Sequence, residues 1–204
     1  MFPMRRDENS LREETIYDSK ADDGETQERL LTTAIQVRRA FEQLQDGWEE
    51  FVEERYDLPR EMRSSFGPLK NFPAGCCDRA AMLLMRYLHD EGFTNARCVF
   101  ARLRRDRTRQ HVWVEVDGTL IDITADQFKR SRPRPAPVIV AKDSQWHRHR
   151  YDTYSYMKYT LGWTERTDYS EKARLLIEPM YEVLAAIIRY EASLPTNGQD
   201  SPEP

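Results

Sequence analysis

No stretch of this 204-residue chain approaches the roughly 20 consecutive apolar residues that span a bilayer, which excludes an ordinary membrane-spanning helix. The opening residues, Met1 to Ser10, lack the apolar core of a signal peptide, so a cytoplasmic protein is expected. Cysteine is scarce: only Cys76, Cys77 and Cys98 occur. An odd number with two adjacent argues against a disulfide framework and suits a reducing compartment. Neither sign of charge dominates, since 31 basic residues face 35 acidic ones for a formal net charge of -4. That balance favours neither nucleic acid nor an anionic membrane as a partner. There is no internal repeat.

Hydrophobic residues make up 39% and charged residues 32%, a balance that fits one folded domain with polar tails and exposed charged helices. Residues 1–25 are expected to be a disordered acidic tail, 26–192 a single domain, and 193–204 a polar C-terminal tail. From Thr26 to Tyr56, Leu30, Ala34, Val37, Phe41, Leu44, Trp48, Phe51 and Val52 recur at three- and four-residue steps, which predicts an amphipathic helix divided at Gly47. Asp57 to Pro73 holds three prolines and a glycine and reads as a loop. Cys76 to Asp90 reads as a helix with an apolar stripe through Ala80, Leu83, Leu84, Tyr87 and Leu88, stopped by Gly92. Strands are expected at Ala96–Leu103, His111–Val116, Thr119–Ile123 and Val138–Ala141, and irregular chain at 129–137. The aromatic segment Ser144–Thr167 has no period that orders it. Ser170 to Glu191 reads as a long amphipathic helix.

The chemistry starts at the cysteines. Gly75, Cys76 and Cys77 lie where a loop enters a predicted helix. The positive end of the helix dipole and the free N–H groups there favour thiolate, the nucleophilic form, and those N–H groups are also placed to bind an oxyanion. The competing reading is two small buried hydrophobic residues. Between the second and third strands, Asp117-Gly118 signals a two-residue type I′ hairpin turn. That turn pairs Val116 with Thr119, Val114 with Ile121 and Val112 with Ile123, an apolar face that turns to the core. The other face carries His111, Trp113 and Glu115 opposite Leu120 and Asp122. His111 becomes the diagonal neighbour of Asp122. An imidazole near a thiol moves its proton, and a carboxylate on the far ring nitrogen fixes the tautomer. Aspartate between two isoleucines in a strand is a local cost of the kind that marks functional sites. Trp113, on the same face, is a candidate for contact with substrate.

These segments resemble the transglutaminase-like superfamily. Gly75-Cys76-Cys77-Asp78-Arg79-Ala80-Ala81-Met82-Leu83-Leu84 is similar to its nucleophile helix, in a register that selects Cys77. His111-Val112-Trp113-Val114-Glu115-Val116 looks like the family's His-Ala-Trp-Val-Glu-Val strand. Asp122-Ile123-Thr124 looks like its Asp-Pro-Thr, with isoleucine in place of proline. The resemblance covers about residues 68–128, roughly a third of the chain. It implies an α+β papain-like core, with the nucleophile helix packed on an antiparallel sheet; the amphipathic helices expected at both ends of the domain lie outside the resemblance. It implies a Cys77–His111–Asp122 triad that hydrolyses a peptide or protein amide, or transfers or deamidates it, with no cofactor. It also implies an oxyanion donor six positions before the nucleophile, where Asn71 stands; Asn71 also reads as a turn residue, and Gln127 is a second candidate. The alternative is a catalytically inactive module of the same fold that holds a peptide or protein partner.

Two arginine groups, Arg102 to Arg109 and Arg130 to Arg150, read either as a cationic rim or as solvated loops, and the acidic total favours the second. His147 and His149 raise the question of metal. No cysteine or acidic cluster near them in sequence completes a ligand set, so none is expected. His89, at a helix end, reads as structural.

Overall fold

The computed structural model of the chain describes residues 16–17, 24–56, 58–156 and 168–193. The expected first helix is α1, Gly24–Asp46, burying Leu30, Ala34, Val37, Phe41 and Leu44. Gly47 follows it, and a Cβ there would stand 2.8 Å from the Phe51 ring. The chain then continues as a π-helical segment, Glu49–Arg55, that buries Phe51 and Val52.

The span expected as loop, Asp57–Pro73, is largely helical instead: α2 covers Arg60–Phe66 and a 3-10 turn covers Gly67–Asn71. Prolines oppose helix in mid-element, but Pro59 caps α2 and Pro68 falls in the first turn of the 3-10 segment. At a helix start the missing N–H is no loss and the fixed φ is an advantage. Helix α3, Cys77–Asp90, buries Ala80, Leu83, Leu84 and Leu88 and ends before Gly92, whose φ of 92° needs glycine.

Six strands form one sheet in the order β1-β5-β4-β3-β2-β6. They are β1 (Ile16–Tyr17), β2 (Arg97–Leu103), β3 (Asp106–Val116), β4 (Thr119–Asp122), β5 (Ile139–Ala141) and β6 (Tyr151–Tyr156). All pairings are antiparallel except β1 with β5. The β3–β4 hairpin has the expected register, Val114 to Ile121 and Val116 to Thr119. Its turn residues have φ of 48° at Asp117 and 77° at Gly118, the left-handed pair that a type I′ turn requires. Two expectations need adjustment. β3 begins five residues earlier than predicted, and β4 stops at Asp122, so Ile123 lies beyond the ladder.

One sheet face carries Cys98, Val112, Val114, Val116, Ile121 and Val140 into the main core. Helices α1 and α3 cover it, α3 against β3 and α1 against β4 and β5, and α5 (Asp168–Ser193) packs on α1 and α3. In α5, Ile177, Met180, Leu184, Ile187 and Ile188 are buried as expected. The opposite face is not left to solvent. Val99, Ala101, Trp113, Ile139, Ala141, Trp146 and Tyr151 form a second, smaller apolar cluster there. The segment that follows β5 supplies its cover: a short helix α4, Gln145–Arg150, capped by Ser144, leads directly into β6. Residues 157–167 of the aromatic segment, nearly all of the acidic tail and residues 194–204 lie outside the described residues. Among the described residues no helix is long and apolar enough to cross a membrane.

Arg38 of α1 ties the core to the connection after β4. Its guanidinium donates to the Ile123 carbonyl at 2.7 Å, to the Pro137 carbonyl at 2.8 Å and to both Asp126 carboxylate oxygens. Part of the first arginine group is structural as well. Arg104 donates to the carbonyls of Tyr151 and Arg148, and Arg107 pairs with Asp152, holding β6 and α4 to the long hairpin.

Candidate active site

The β3–β4 register decides where His111 falls. Glu115 pairs with Leu120, so the position opposite His111 is Thr124, already past the end of β4. The sheet opens there. Gln127, in the 3-10 turn Ala125–Gln127, bridges this opening. Its Oε1 accepts from the Gly75 N–H at 3.4 Å, its Nε2 donates to the Thr124 carbonyl at 2.9 Å, and the same Nε2 lies 3.3 Å from His111 Nδ1. The loop leading to Cys77 is thereby brought to the imidazole edge.

His111 and Asp122 meet as the parity of the strands requires. The His111 Nε2–H donates to Asp122 Oδ2 at 2.6 Å, with both side chains buried. The other carboxylate oxygen, Oδ1, accepts from the Thr124 N–H at 2.8 Å and the Thr124 hydroxyl at 3.1 Å. Burial works against the ionised carboxylate, but His111 and His147 outweigh it and hold Asp122 well below the usual range. Burial likewise works against a charged imidazole at His111. The neighbouring Asp122 carboxylate overcomes it, and a hydrogen bond with Cys77 adds to the effect, lifting His111 to about 10. With Nε2 committed to Asp122, Nδ1 is the remaining ring nitrogen, and Gln127 Nε2 lies 3.3 Å from it.

The two adjacent cysteines are physically distinct. Cys76 is 0% exposed in the main core, and burial pushes its thiol up to about 12. Cys98 is buried as well, and its thiol also rises to about 12. Cys77 is half-buried and is the first residue of α3, where helix amides lack partners within their own helix.

The remaining site expectations separate clearly. Asn71 is exposed at the end of its 3-10 turn, and no hydrogen bond among the described residues joins its side chain to Cys77, His111 or Asp122. Gln127 is the amide that stands at the site. Trp113 is 3% exposed and packs in the second cluster beside His111, with ring centroids 5.8 Å apart. It also lines a cavity of about 330 Å³ together with Leu120, Ser144, His147 and Tyr154. His89 is structural as expected, its Nε2 3.0 Å from the Ala96 carbonyl.

The residue that sequence reasoning missed is His147. Buried on α4, it places Nε2 2.9 Å from Asp122 Oδ2, the oxygen that His111 uses. The absence of a nearby acid, the ground for setting His147 aside as a ligand, does not hold in three dimensions. His111, Asp122 and His147 are all of metal-ligating type, and their ligand atoms lie within 4.8 Å of one another. Three ligands on one zinc ion sit roughly 3.3 Å apart. The 2.6 and 2.9 Å separations here, both to one carboxylate oxygen, are those of hydrogen bonds. His149 is exposed and takes no part. The one sequence signal for this arrangement is Ser144, a helix-capping residue three positions before His147.

No protein-family model, curated protein or solved structure matches this chain.

Proposed function

We propose that the chain is a cysteine-dependent hydrolase or acyltransferase of papain-like, transglutaminase-like design, acting on a peptide or protein amide through Cys77, His111 and Asp122. The observation that carries this reading is the buried 2.6 Å hydrogen bond from His111 to Asp122, with the half-buried Cys77 near enough to raise the His111 pKa. An imidazole held between a carboxylate and a half-buried thiol has one evident chemical use, which is to take the thiol proton.

In the proposed reaction His111 Nδ1 already holds the proton given up by the Cys77 thiol, and the thiolate sulfur attacks the substrate carbonyl carbon. The carbonyl oxygen gains the electron pair. A protonated Nδ1 no longer accepts from Gln127 Nε2, and that amide N–H and the backbone N–H at the start of α3 are the donors we assign to the oxygen. The tetrahedral species collapses, the C–N bond breaks, and His111 returns its proton to the leaving amine. A thioester remains on Cys77. Water attacking it gives hydrolysis and an amine gives transfer, with His111 taking the proton of the attacking group. Asp122 stays ionised throughout and keeps the imidazole in the Nε2–H tautomer.

A non-catalytic module that merely holds a peptide calls for a buried or blocked Cys77, and a half-buried residue beside an imidazole does not favour it. The test is acylation by p-nitrophenyl acetate, a small activated ester, followed by mass spectrometry of the intact protein. An acetyl adduct on Cys77 that is absent from Cys77→Ala and His111→Ala is expected. No adduct on Cys77 above that on an unfolded control would contradict the reading.

A further inference from the structure

We propose that His147 is a positioning residue of this site, holding the Asp122 carboxylate in the orientation from which it fixes His111. The inference rests on the Cys77–His111–Asp122 reading above. Its basis is geometric. Asp122 accepts four hydrogen bonds, two from Thr124 on Oδ1 and one each from His111 and His147 on Oδ2. Thr124 alone leaves the carboxylate free to tilt about its own bond. A second donor on Oδ2, approaching from α4 rather than β3, removes that freedom.

The ring of His147 is itself set up for the task. Its Nδ1 lies 2.7 Å from Ser144 Oγ. A ring that donates from Nε2 presents a lone pair at Nδ1, and the Ser144 hydroxyl donates to it. Both nitrogens are then satisfied in one neutral tautomer, without a partner to spare. The titratable or charged groups facing the ring are Asp122 of β4, His111 of β3, Tyr151 of β6 and Arg150 of its own helix. Burial outweighs the pull of Asp122 and holds His147 below its ordinary value, so it donates a hydrogen bond without competing with His111 for the positive charge. A buried histidine where an apolar side chain would pack at less cost calls for such a role.

The cavity of about 330 Å³ lined by His147 and Ser144 makes the idea testable by chemical rescue. Cys77 alkylation by iodoacetamide is followed at the residue by peptide mass spectrometry, from acid to neutral pH, in the full chain. His147→Ala is expected to lower the neutral-pH rate about tenfold to a hundredfold, the range for losing a hydrogen bond to a charged group. Added imidazole, which fits the vacated space, is expected to recover most of it. His147→Gln, which keeps an amide N–H for Asp122, is expected to stay within about threefold of the unaltered chain. A His147→Ala profile superimposable on the unaltered one, or a loss that neither imidazole nor glutamine repairs, overturns the proposal.

If His147→Ala does not fold, the ring nitrogens of the unmodified protein decide, by long-range proton–nitrogen spectra. A neutral, Nε2-protonated His147 is expected. The Nδ1-protonated tautomer, which turns a lone pair to the carboxylate, overturns the proposal. The parent reading fails separately: in that case Cys77 of the unaltered chain titrates as a free thiol, whatever stands at 147.

Discussion

His111 donates its Nε2–H to Asp122 Oδ2 across 2.6 Å, and the two residues are 0% and 1% exposed. A buried histidine–carboxylate pair is a poor device for stability alone, because desolvation consumes much of its attraction. In the proposed reaction its role is to activate the thiol of Cys77, the first residue of α3.

Only one of the three cysteines is expected to react in the folded protein. Burial lifts Cys76 and Cys98 to about 12, while Cys77 is half-buried at a helix start. Brief alkylation under native conditions and peptide mapping should label Cys77 alone. Equal labelling of Cys76 would mean that the helix begins in a different register.

The pair also sets the pH dependence of folding in the unaltered chain, where Cys77 helps hold the proton on His111. Folded His111 keeps its proton up to about 10 and the unfolded chain loses it near 6.5. Its contribution is therefore fully present below about 6.5 and is lost as pH rises toward 10. Asp122 is held below its ordinary 3.8, so its contribution is present above that value and lost as pH falls. His147, held below its ordinary 6.5, stays neutral where the unfolded chain gains a proton, which lowers stability on the acid side of 6.5. The urea midpoint should peak near about pH 6.5 and fall on both sides. A midpoint flat from neutral pH to about 10 would contradict this assignment.

The two amides considered for the oxyanion should behave differently. Gln127 bridges Gly75 and His111, whereas Asn71 is exposed. Gln127→Ala is expected to slow acylation by p-nitrophenyl acetate about a hundredfold, the usual scale for losing such a donor. Asn71→Ala should stay within about twofold. The reverse order would move the donor to Asn71.

Tyr151 is 1% exposed, and its hydroxyl has no hydrogen-bond partner among the described residues. A buried, unsatisfied hydroxyl costs about 1–3 kcal/mol. Tyr151→Phe is therefore expected to raise stability by about 1 kcal/mol, read as a higher urea midpoint. A lower midpoint would show that the hydroxyl is satisfied in solution.

Much of the site was legible in the sequence because it sits on one hairpin. Asp117-Gly118 dictates the turn, the turn dictates the register, and strand parity then puts His111 and Asp122 on one face. Cys77 was legible as a helix start. His147 was not, because it reaches Asp122 from a six-residue helix too short to show a period. Its contact depends on how β5, α4 and β6 fold back over the second sheet face. The same limit applies to α2, where Pro59 opens a helix rather than breaking one. The second apolar cluster was hidden for another reason. Alternation separates the two faces of a strand, but it does not say whether a later segment covers the more polar one.

The central claim is that His111 activates Cys77. The most direct measurement is the rate of Cys77 alkylation by iodoacetamide against pH, in the unaltered chain and in His111→Ala. The unaltered chain should react well below about pH 8.5, where a free thiol is largely protonated. His111→Ala should return to the free-thiol curve and be at least about tenfold slower near pH 6. Two coincident curves would mean that the imidazole beside Asp122 does nothing for the sulfur.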